Sequence, residues 1–161
     1  MAKPKHDPFF SRSLEHPAIA KDFFRQHIPP YLKEQVDWEG LSRIDRNDTD
    51  SALKKLQRDI IYKAPLKQGG NIILGIEQQS KADPLMPIRY LRYSANVFEA
   101  HIKERHTKWP LLVSLLVYNG LKSPYPYPIE TTDCYEHGAW GNKELYLRFH
   151  LIDLLQISNK Q

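Results

Sequence analysis

Cysteine is nearly absent from this chain of 161 residues, which has only Cys134. One thiol cannot form an internal disulfide framework and gives no sign of a zinc cluster, so a reducing cytoplasm is the expected compartment. Long apolar runs are absent too. The longest, Leu111–Tyr118, is far shorter than the roughly 20 residues that a membrane-spanning helix needs, and the N-terminus lacks the apolar core of a signal peptide. The sequence therefore predicts a cytoplasmic protein with no membrane segment.

Several familiar catalytic motifs are also missing. The chain has no glycine-rich phosphate loop, no G-x-S-x-G elbow and no Cys/His pair with a plausible orienting group. His101 and His106 are five residues apart in a predicted helix, so they should not share a face in the way that a zinc pair four residues apart does. Nucleophilic acyl chemistry therefore has no support in the sequence.

The composition is otherwise that of one ordinary globular domain. A chain of this length can bury a hydrophobic core, and we expect a single domain over residues 1–161. The formal net charge of +4 favours a polyanionic partner such as nucleic acid, although many basic proteins bind none.

The most informative stretch is residues 59–79, in which two apolar runs flank Gly69 and Gly70. β-branched and aromatic residues suit strands, and glycines accept the positive φ of a tight turn, so this stretch predicts a β-hairpin. If the turn is centred on Gln68, Asp59 lies directly opposite Glu77. Directly opposite residues have Cβ atoms roughly 4.5–5.5 Å apart, close enough for two carboxylates to share a divalent cation.

Strand alternation divides the hairpin into two faces. The apolar face, expected to be core, holds Ile60, Tyr62, Ile72, Leu74 and Ile76. The other face, expected to carry the site, holds Asp59, Ile61, Lys63, Ile73, Gly75, Glu77 and Gln79. The alternative is that the carboxylates are simply solvated at strand ends, and a slip of one residue in register would put them on opposite faces.

Apolar periodicity predicts the surrounding elements. A first helical turn is expected near Phe9 to Leu14, a helix from Pro17 to the break at Pro29, and a short helix over 31–38. A strand over 41–46 is less distinct. The clearest helix spans 85–106, with Arg89, Arg92, Asn96 and Lys103 along one flank. That flank is either a solvated basic edge or, if the helix packs over the end of the hairpin, a surface for phosphates.

The remaining segments complete the predicted order. Residues 111–118 read as a central strand buried on both faces, reached from the hairpin by a helical crossover. The segment S-P-Y-P-Y-P at 123–128 cannot be helical and is either a structural strap or a partner-binding segment. A C-terminal edge strand is expected at about 145–155.

The order of these elements resembles the αβββαβ core of the PD-(D/E)XK nuclease superfamily, an α/β fold with a central mixed sheet flanked by helices; here the core would span about 6–120. Within it the chain looks most similar to the Rpn family of recombination-promoting nucleases, also described as transposases. The matching pieces are H-D-P-F-F at 6–10, A-K-D-F-F at 20–24, I-P-P at 28–30, D-I-I-Y at 59–62, I-E-Q-Q-S at 76–80, R-Y-L-R-Y at 89–93, L-L-V-Y-N-G at 115–120 and I-D-L-L-Q-I-S at 152–158.

Carried over residue by residue, the resemblance implies that Asp59 and Glu77 are metal ligands and that Gln79 stands at the lysine position of the superfamily. The resemblance also implies a helper role for Asp7 of the H-D-x-F-F signature. The chain departs from the family pattern at Asn119, where a histidine is usual, and at 47–50, where an acidic, serine-containing run is usual. Family members also tend to be longer, so the family's C-terminal region is expected to be absent.

The implied function is that of a DNA endonuclease that depends on Mg²⁺, with Mn²⁺ as a substitute, and promotes recombination or transposition-like events. Asp59, Glu77, the backbone carbonyl of Gln78 and a substrate phosphate would complete the coordination, and Gln79 would orient the attacking water. We expect phosphate contacts from Lys63, Arg89 and Arg92, and a homodimer, because cutting both strands usually needs two active sites. The alternatives are an inactive nucleic-acid-binding or regulatory module and a small interaction domain that binds through 123–128.

Overall fold

The computed structural model describes residues 8–44 and 60–138. The chain divides into two compact units, residues 1–127 and 128–161, which are described separately below. The expectation of one domain over 1–161 stays a prediction. The expected strand at 145–155 lies outside the described residues.

Three helices open the first unit. They are α1 (Pro8–Ser13), α2 (Pro17–His27) and α3 (Pro30–Lys33). α2 begins at a proline because the first helical position needs no N–H, and it ends where Pro29 and Pro30 cannot continue it. These helices agree with the predicted pattern, except that α3 ends before Trp38.

The early end of α3 has a tertiary cause. The backbone of Gln35 accepts a hydrogen bond from Lys67 N (2.8 Å), and Asp37 N donates to Pro65 O (2.9 Å). Val36 forms an isolated bridge with Leu66 between these bonds. The chain is therefore extended against the hairpin where local pattern predicted helix, and a 3₁₀ turn follows at Trp38–Gly40.

The described strands form a mixed sheet whose order follows the sequence. They are β1 (Ser42–Arg43), β2 (Ile60–Pro65), β3 (Asn71–Gln79) and β4 (Leu111–Tyr118). β1, β2 and β3 pair antiparallel, whereas β3 and β4 are parallel and are joined through helix α4 (Met86–Lys103). This α-β-β-β-α-β order, with helices flanking a mixed sheet, confirms the predicted PD-(D/E)XK-like fold class.

The hairpin has the predicted register. Ile60 lies opposite Ile76 and Pro65 opposite Asn71, so the turn is centred on Gln68. Gly69 and Gly70 have φ of 95° and 83°, values that residues with a Cβ rarely adopt. The turn therefore depends on the glycines that indicated it.

The predicted apolar face is the main core. Its five side chains are buried, together with Leu14 of the α1–α2 connection and Phe24 of α2. Tyr62 is completely buried, packs edge-to-face on Phe24 (5.8 Å between ring centroids) and donates a hydrogen bond to Leu14 O (2.8 Å). The N-terminal helices are thus tied to β2 by both packing and a buried hydrogen bond.

The face expected to carry the site is also part of the core. Ile61 and Ile73 are buried there against Tyr93 and Val97 of α4, forming a second apolar cluster. α4 lies across this face because it connects β3 to β4 and brings its own apolar stripe. A Cβ on Gly75 would be 3.3 Å from Tyr93 Oη, so the glycine permits the close approach of the helix.

The expected central position of β4 stays a prediction, because the strand expected at 145–155 lies outside the described residues, but burial on both faces is wrong within the part of the chain that the structure describes. There β4 pairs only with β3, at the end of the strand order, and most of its side chains are half-buried. A continuous apolar run does not distinguish a central strand from one that is covered incompletely.

The remaining described segments are short. Residues 123–128 form neither helix nor strand, as predicted. In the second unit, the described residues include a 3₁₀ turn at Thr131–Cys134, with Thr132 buried and Cys134 exposed. None of the helices in the described ranges is both long enough and apolar enough to cross a membrane.

Candidate active site

The polar site lies where β3 ends. Glu77 and Gln79 are two residues apart in the strand, so their side chains share the face that α4 covers. Gln79 Nε2 donates a hydrogen bond to Glu77 Oε1. The Glu77 side chain is 17% exposed, so the carboxylate is largely withdrawn from water yet open at one side. The structure therefore confirms that these two predicted site residues are adjacent.

Arg89, in the first turn of α4, pairs with this carboxylate. Its Nη2 lies 2.6 Å from Glu77 Oε1, and its Nη1 lies 2.9 Å from Asp83 Oδ2. Burial alone would lower the pKa of Arg89, but the hydrogen bond that Arg89 donates to Asp83 and the charge of Glu77 together raise it. The guanidinium is thus held between two carboxylates. At Arg89 the basic flank of the helix therefore meets the end of the hairpin, which is one of the two alternatives stated above.

Asp83 connects the site to the start of α4. Its Oδ1 accepts a hydrogen bond from Leu85 N (2.8 Å), and this bond and the one from Arg89 hold the pKa of Asp83 below its usual value. Tyr125 Oη donates to Asp83 O (2.9 Å) and accepts from Asp83 N (3.2 Å). The 123–128 segment is therefore attached to the loop that positions Arg89, which supports the structural-strap interpretation.

Sequence reasoning missed Asp83 and Tyr125 as site-supporting residues. An acidic residue followed by Pro84 just before an apolar helical pattern is a usual helix-start signal and could have identified Asp83. No local signal could have paired Tyr125 with Asp83, because 42 residues separate them.

Gln78 occupies the opposite face of β3. Its side-chain Oε1 accepts a hydrogen bond from Ser11 Oγ of α1 (3.1 Å), so the end of the strand is held from both sides of the sheet. The predicted role of Gln78 involves its backbone carbonyl only, and that role stays a prediction. Ser11 was not identified from sequence, since a lone serine in a short helix carries no signal.

The other predicted site residues are distributed differently. Lys63 pairs with Ile73, four residues before Glu77 and therefore about 13 Å away along the strand, at roughly 3.3 Å per residue. Arg92 is exposed on α4. Asp7 and Asp59 lie outside the described residues. The structure thus brings together Glu77, Gln79 and Arg89, and it does not bring Lys63 to them.

The donors at the end of β3 fit the hard divalent cation that the fold family implies. Carboxylate and amide oxygens are the ligands that Mg²⁺ prefers. Within the described ranges Glu77 Oε1 accepts hydrogen bonds from Gln79 and Arg89, whereas Oε2 accepts none. One carboxylate oxygen is therefore available without breaking a contact among those residues.

Comparison with known proteins identifies the family. Residues 4–161 match the family model described as "Putative transposase, YhgA-like". The chain belongs to this family. Two relatives confirm the prediction of an Rpn-type family. The chain is 32% identical to recombination-promoting nuclease RpnD of Escherichia coli O157:H7 and 30% identical to recombination-promoting nuclease RpnA of E. coli K12.

Other relatives of the chain are named as inactive. The chain is 28% identical to the inactive recombination-promoting nuclease-like protein RpnE of E. coli K12. These matches cover 97%, 92% and 92% of this chain but only 61%, 51% and 50% of RpnD, RpnA and RpnE. The chain thus spans between half and about three-fifths of the length of these relatives. No solved structure matches it significantly.

Proposed function

We propose that this chain is a metal-dependent endonuclease that hydrolyses phosphodiester bonds in DNA, using Mg²⁺ or Mn²⁺, and that it acts in recombination or transposition-like events. The observation that supports this most is the arrangement at the end of β3, where Glu77 is held by Gln79 and Arg89 on a YhgA-like fold. The names of RpnD and RpnA give the reaction class of two relatives.

The hairpin register supports Asp59 as the second carboxylate of this site. Ile60 pairs with Ile76, and Asp59 and Glu77 are the next residues outward in the two strand sequences. In the proposal, Asp59 and Glu77 hold the cation with the backbone carbonyl of Gln78. Asp7 is a helper, which fits the contact that Ser11 of α1 makes with Gln78.

The proposed chemistry assigns separate tasks to the side chains. A bound Mg²⁺ would supply charge neutralisation at the phosphate and lower the pKa of a water. Gln79 would orient that water by a hydrogen bond, since an amide both donates and accepts but does not take up the proton. Arg89 would exchange its carboxylate pairing for a substrate phosphate, a group that a guanidinium binds with two parallel hydrogen bonds. Lys63 and Arg92 would contact phosphates further along the DNA backbone.

Cleavage of supercoiled plasmid DNA tests the proposal. The purified chain is incubated with Mg²⁺, Mn²⁺ or EDTA beside Asp59→Asn and Glu77→Gln, which remove charge and retain shape. Glu99→Gln is the matched control, because Glu99 is an exposed carboxylate on α4. We expect metal-dependent nicking that both site variants abolish and the control retains. Equal cleavage by wild type and Glu77→Gln would contradict the assignment.

A second candidate is a nucleic-acid-binding or regulatory module without cleavage. It is favoured by the pairing of Glu77 with Arg89, which already neutralises the carboxylate, and by the similarity to the protein named inactive RpnE. DNA binding that is unaffected by Glu77→Gln, with no cleavage in any metal, would identify this alternative.

The expected homodimer is a separate question. Light scattering of the purified chain, with and without DNA, measures its molecular mass and tests this expectation.

A further inference from the structure

A second group of polar side chains lies at the opposite end of α4 from Arg89. His101 is half-buried, whereas Glu104 and His106 are exposed. One potential ligand atom from each of the three lies within 4.8 Å of the other two. His106 Nε2 is 3.7 Å from Glu104 Oε2, and the two imidazole rings stack with centroids 3.9 Å apart and an angle of 9° between planes.

The chain reverses to form this cluster. α4 ends at Lys103, Glu104 N and Arg105 N still donate backward to Ala100 O and Ile102 O, and Arg105 then adopts φ of 68°. A non-glycine residue in this left-handed region is uncommon. The reversal turns His106 back over the last helical turn. The expectation that His101 and His106 do not share a face is therefore wrong, because the helix ends before His106.

The three donors suit a borderline transition metal better than Mg²⁺. Two imidazole nitrogens and one carboxylate oxygen form a ligand set that zinc uses, with a fourth position left for water. A tetrahedral site with bonds of about 2.0–2.1 Å has ligand atoms about 3.3–3.4 Å apart. Glu104 and His106 are exposed, so rotation of their side chains can close the present separations.

One feature of the location favours a cation, although Lys63 places a positive charge near His101. The carbonyl groups at the C-terminal end of a helix carry partial negative charge, and α4 ends beside this cluster. The cluster is separate from the candidate active site, since His101 follows Arg89 by twelve positions on the same helix, which corresponds to about 18 Å along the axis.

We propose that His101, Glu104 and His106 form a transition-metal site, selective for Zn²⁺ and similar ions, that ties the end of α4 to the loop leading into β4. That loop also carries Trp109, which stacks on Phe98 of α4 (4.6 Å, 3°). The metal would fix the start of the α4–β4 loop at His106, and the stacked rings of Phe98 and Trp109 fix its end. This site is independent of the proposed nuclease chemistry at Glu77.

The test uses the full chain without an affinity tag of histidines. Co²⁺ is titrated while the visible d–d absorption of tetrahedral cobalt is recorded, and Zn²⁺ affinity is measured by competition. We expect the absorption of one tetrahedral Co²⁺ per chain, at least a tenfold loss of affinity for that ion in His101→Ala and in His106→Ala, and a smaller loss in Glu104→Gln. His137→Ala is the matched control, because His137 is exposed elsewhere in the chain.

Two further measurements make the result decisive. His106 and Glu104 are exposed, so their variants should retain the wild-type circular dichroism spectrum without metal. Loss of affinity with an unchanged spectrum supports the site.

The second measurement tests independence from the candidate active site. Glu77→Ala should keep the full Co²⁺ absorption, whatever its effect on DNA cleavage. Unchanged Zn²⁺ affinity in the His101→Ala/His106→Ala double variant, or loss of the absorption in Glu77→Ala or His137→Ala, would overturn the proposal.

Discussion

The two faces of the β2–β3 hairpin differ in how they use the same strands. The face toward α1 and α2 is apolar over the whole described length of β2 and over β3 as far as Ile76. The apolar side chains on this face are at most 7% exposed. The face toward α4 changes along its length, from the buried pair Ile61 and Ile73 to the polar pair Glu77 and Gln79. One face therefore maintains the fold, and the other combines core at one end with the candidate site at the other.

The difference shows how a largely buried carboxylate is tolerated. Glu77 is stabilised by Arg89 and Gln79, and Arg89 is in turn positioned by Asp83. A buried charge without such partners would be strongly destabilising. Changes on the first face should therefore affect mainly stability, and changes at the polar end of the second face should affect mainly activity.

The largest expected loss of stability comes from Tyr62→Ala. The change empties a fully buried site against Phe24 and leaves Leu14 O without its hydrogen bond, which should lower the free energy of unfolding by about 3–5 kcal/mol. Tyr62→Phe, which removes only the hydroxyl, is the control and should lose about 1–3 kcal/mol. Urea denaturation followed by circular dichroism measures both. Equal losses would show that packing at Tyr62 contributes little.

An intermediate effect is expected from Gly75→Ala, where the second face meets α4. The added Cβ would lie 3.3 Å from Tyr93 Oη and 3.4 Å from Ser114 Oγ, so the Tyr93 side chain must move by a few tenths of an ångström within packed surroundings, at a cost of about 1–3 kcal/mol. A double-mutant cycle with Tyr93→Phe tests the cause. The loss should be smaller in the Tyr93→Phe background, and purely additive losses would contradict the contact with the Tyr93 hydroxyl.

Glu77→Gln should show most clearly that the polar end of the second face serves activity more than stability. Its ion pair with Arg89 is partly exposed at the arginine, so its removal should change the free energy of unfolding by less than about 1 kcal/mol. The proposed DNA cleavage should nevertheless fall to the level seen in EDTA. Parallel denaturation and plasmid assays measure the two effects. A stability loss as large as that of Tyr62→Ala would place Glu77 among the structural residues.

The smallest effect is expected from Asp83→Asn, and it should depend on pH. The folded-state pKa of Asp83 is lowered, chiefly by the hydrogen bond from Leu85 N and also by Arg89. Its stabilisation is therefore present above the unfolded pKa of about 3.9 and is lost as pH falls through the lower folded value.

Thermal unfolding from pH 7 to pH 2 checks this sign. The wild type should have the higher Tm near neutral pH, and the difference from Asp83→Asn should shrink below about pH 4. Asp22→Asn, which changes an exposed carboxylate on α2, is the matched control. A difference that persists unchanged at low pH would contradict the ionised role of Asp83.

Local rules determined much of this protein from sequence alone. The alternation of residues 60–65 and 71–79 around Gly69 and Gly70 predicted the hairpin and its register, because strand period and turn conformation are short-range properties. The apolar stripe predicted α4, and the pairing of Glu77 with Gln79 followed from their spacing. The order of these elements was sufficient for the fold class.

Only the tertiary structure decided the remainder. The second apolar cluster, the position of β4 at the end of the described sheet and the link from Tyr125 through Asp83 to Arg89 all join segments that are distant in sequence. The return of His106 over His101 depends on where α4 ends and on the left-handed Arg105. Periodicity indicates which side chains share a face, but only the packing of one element on another decides what covers that face.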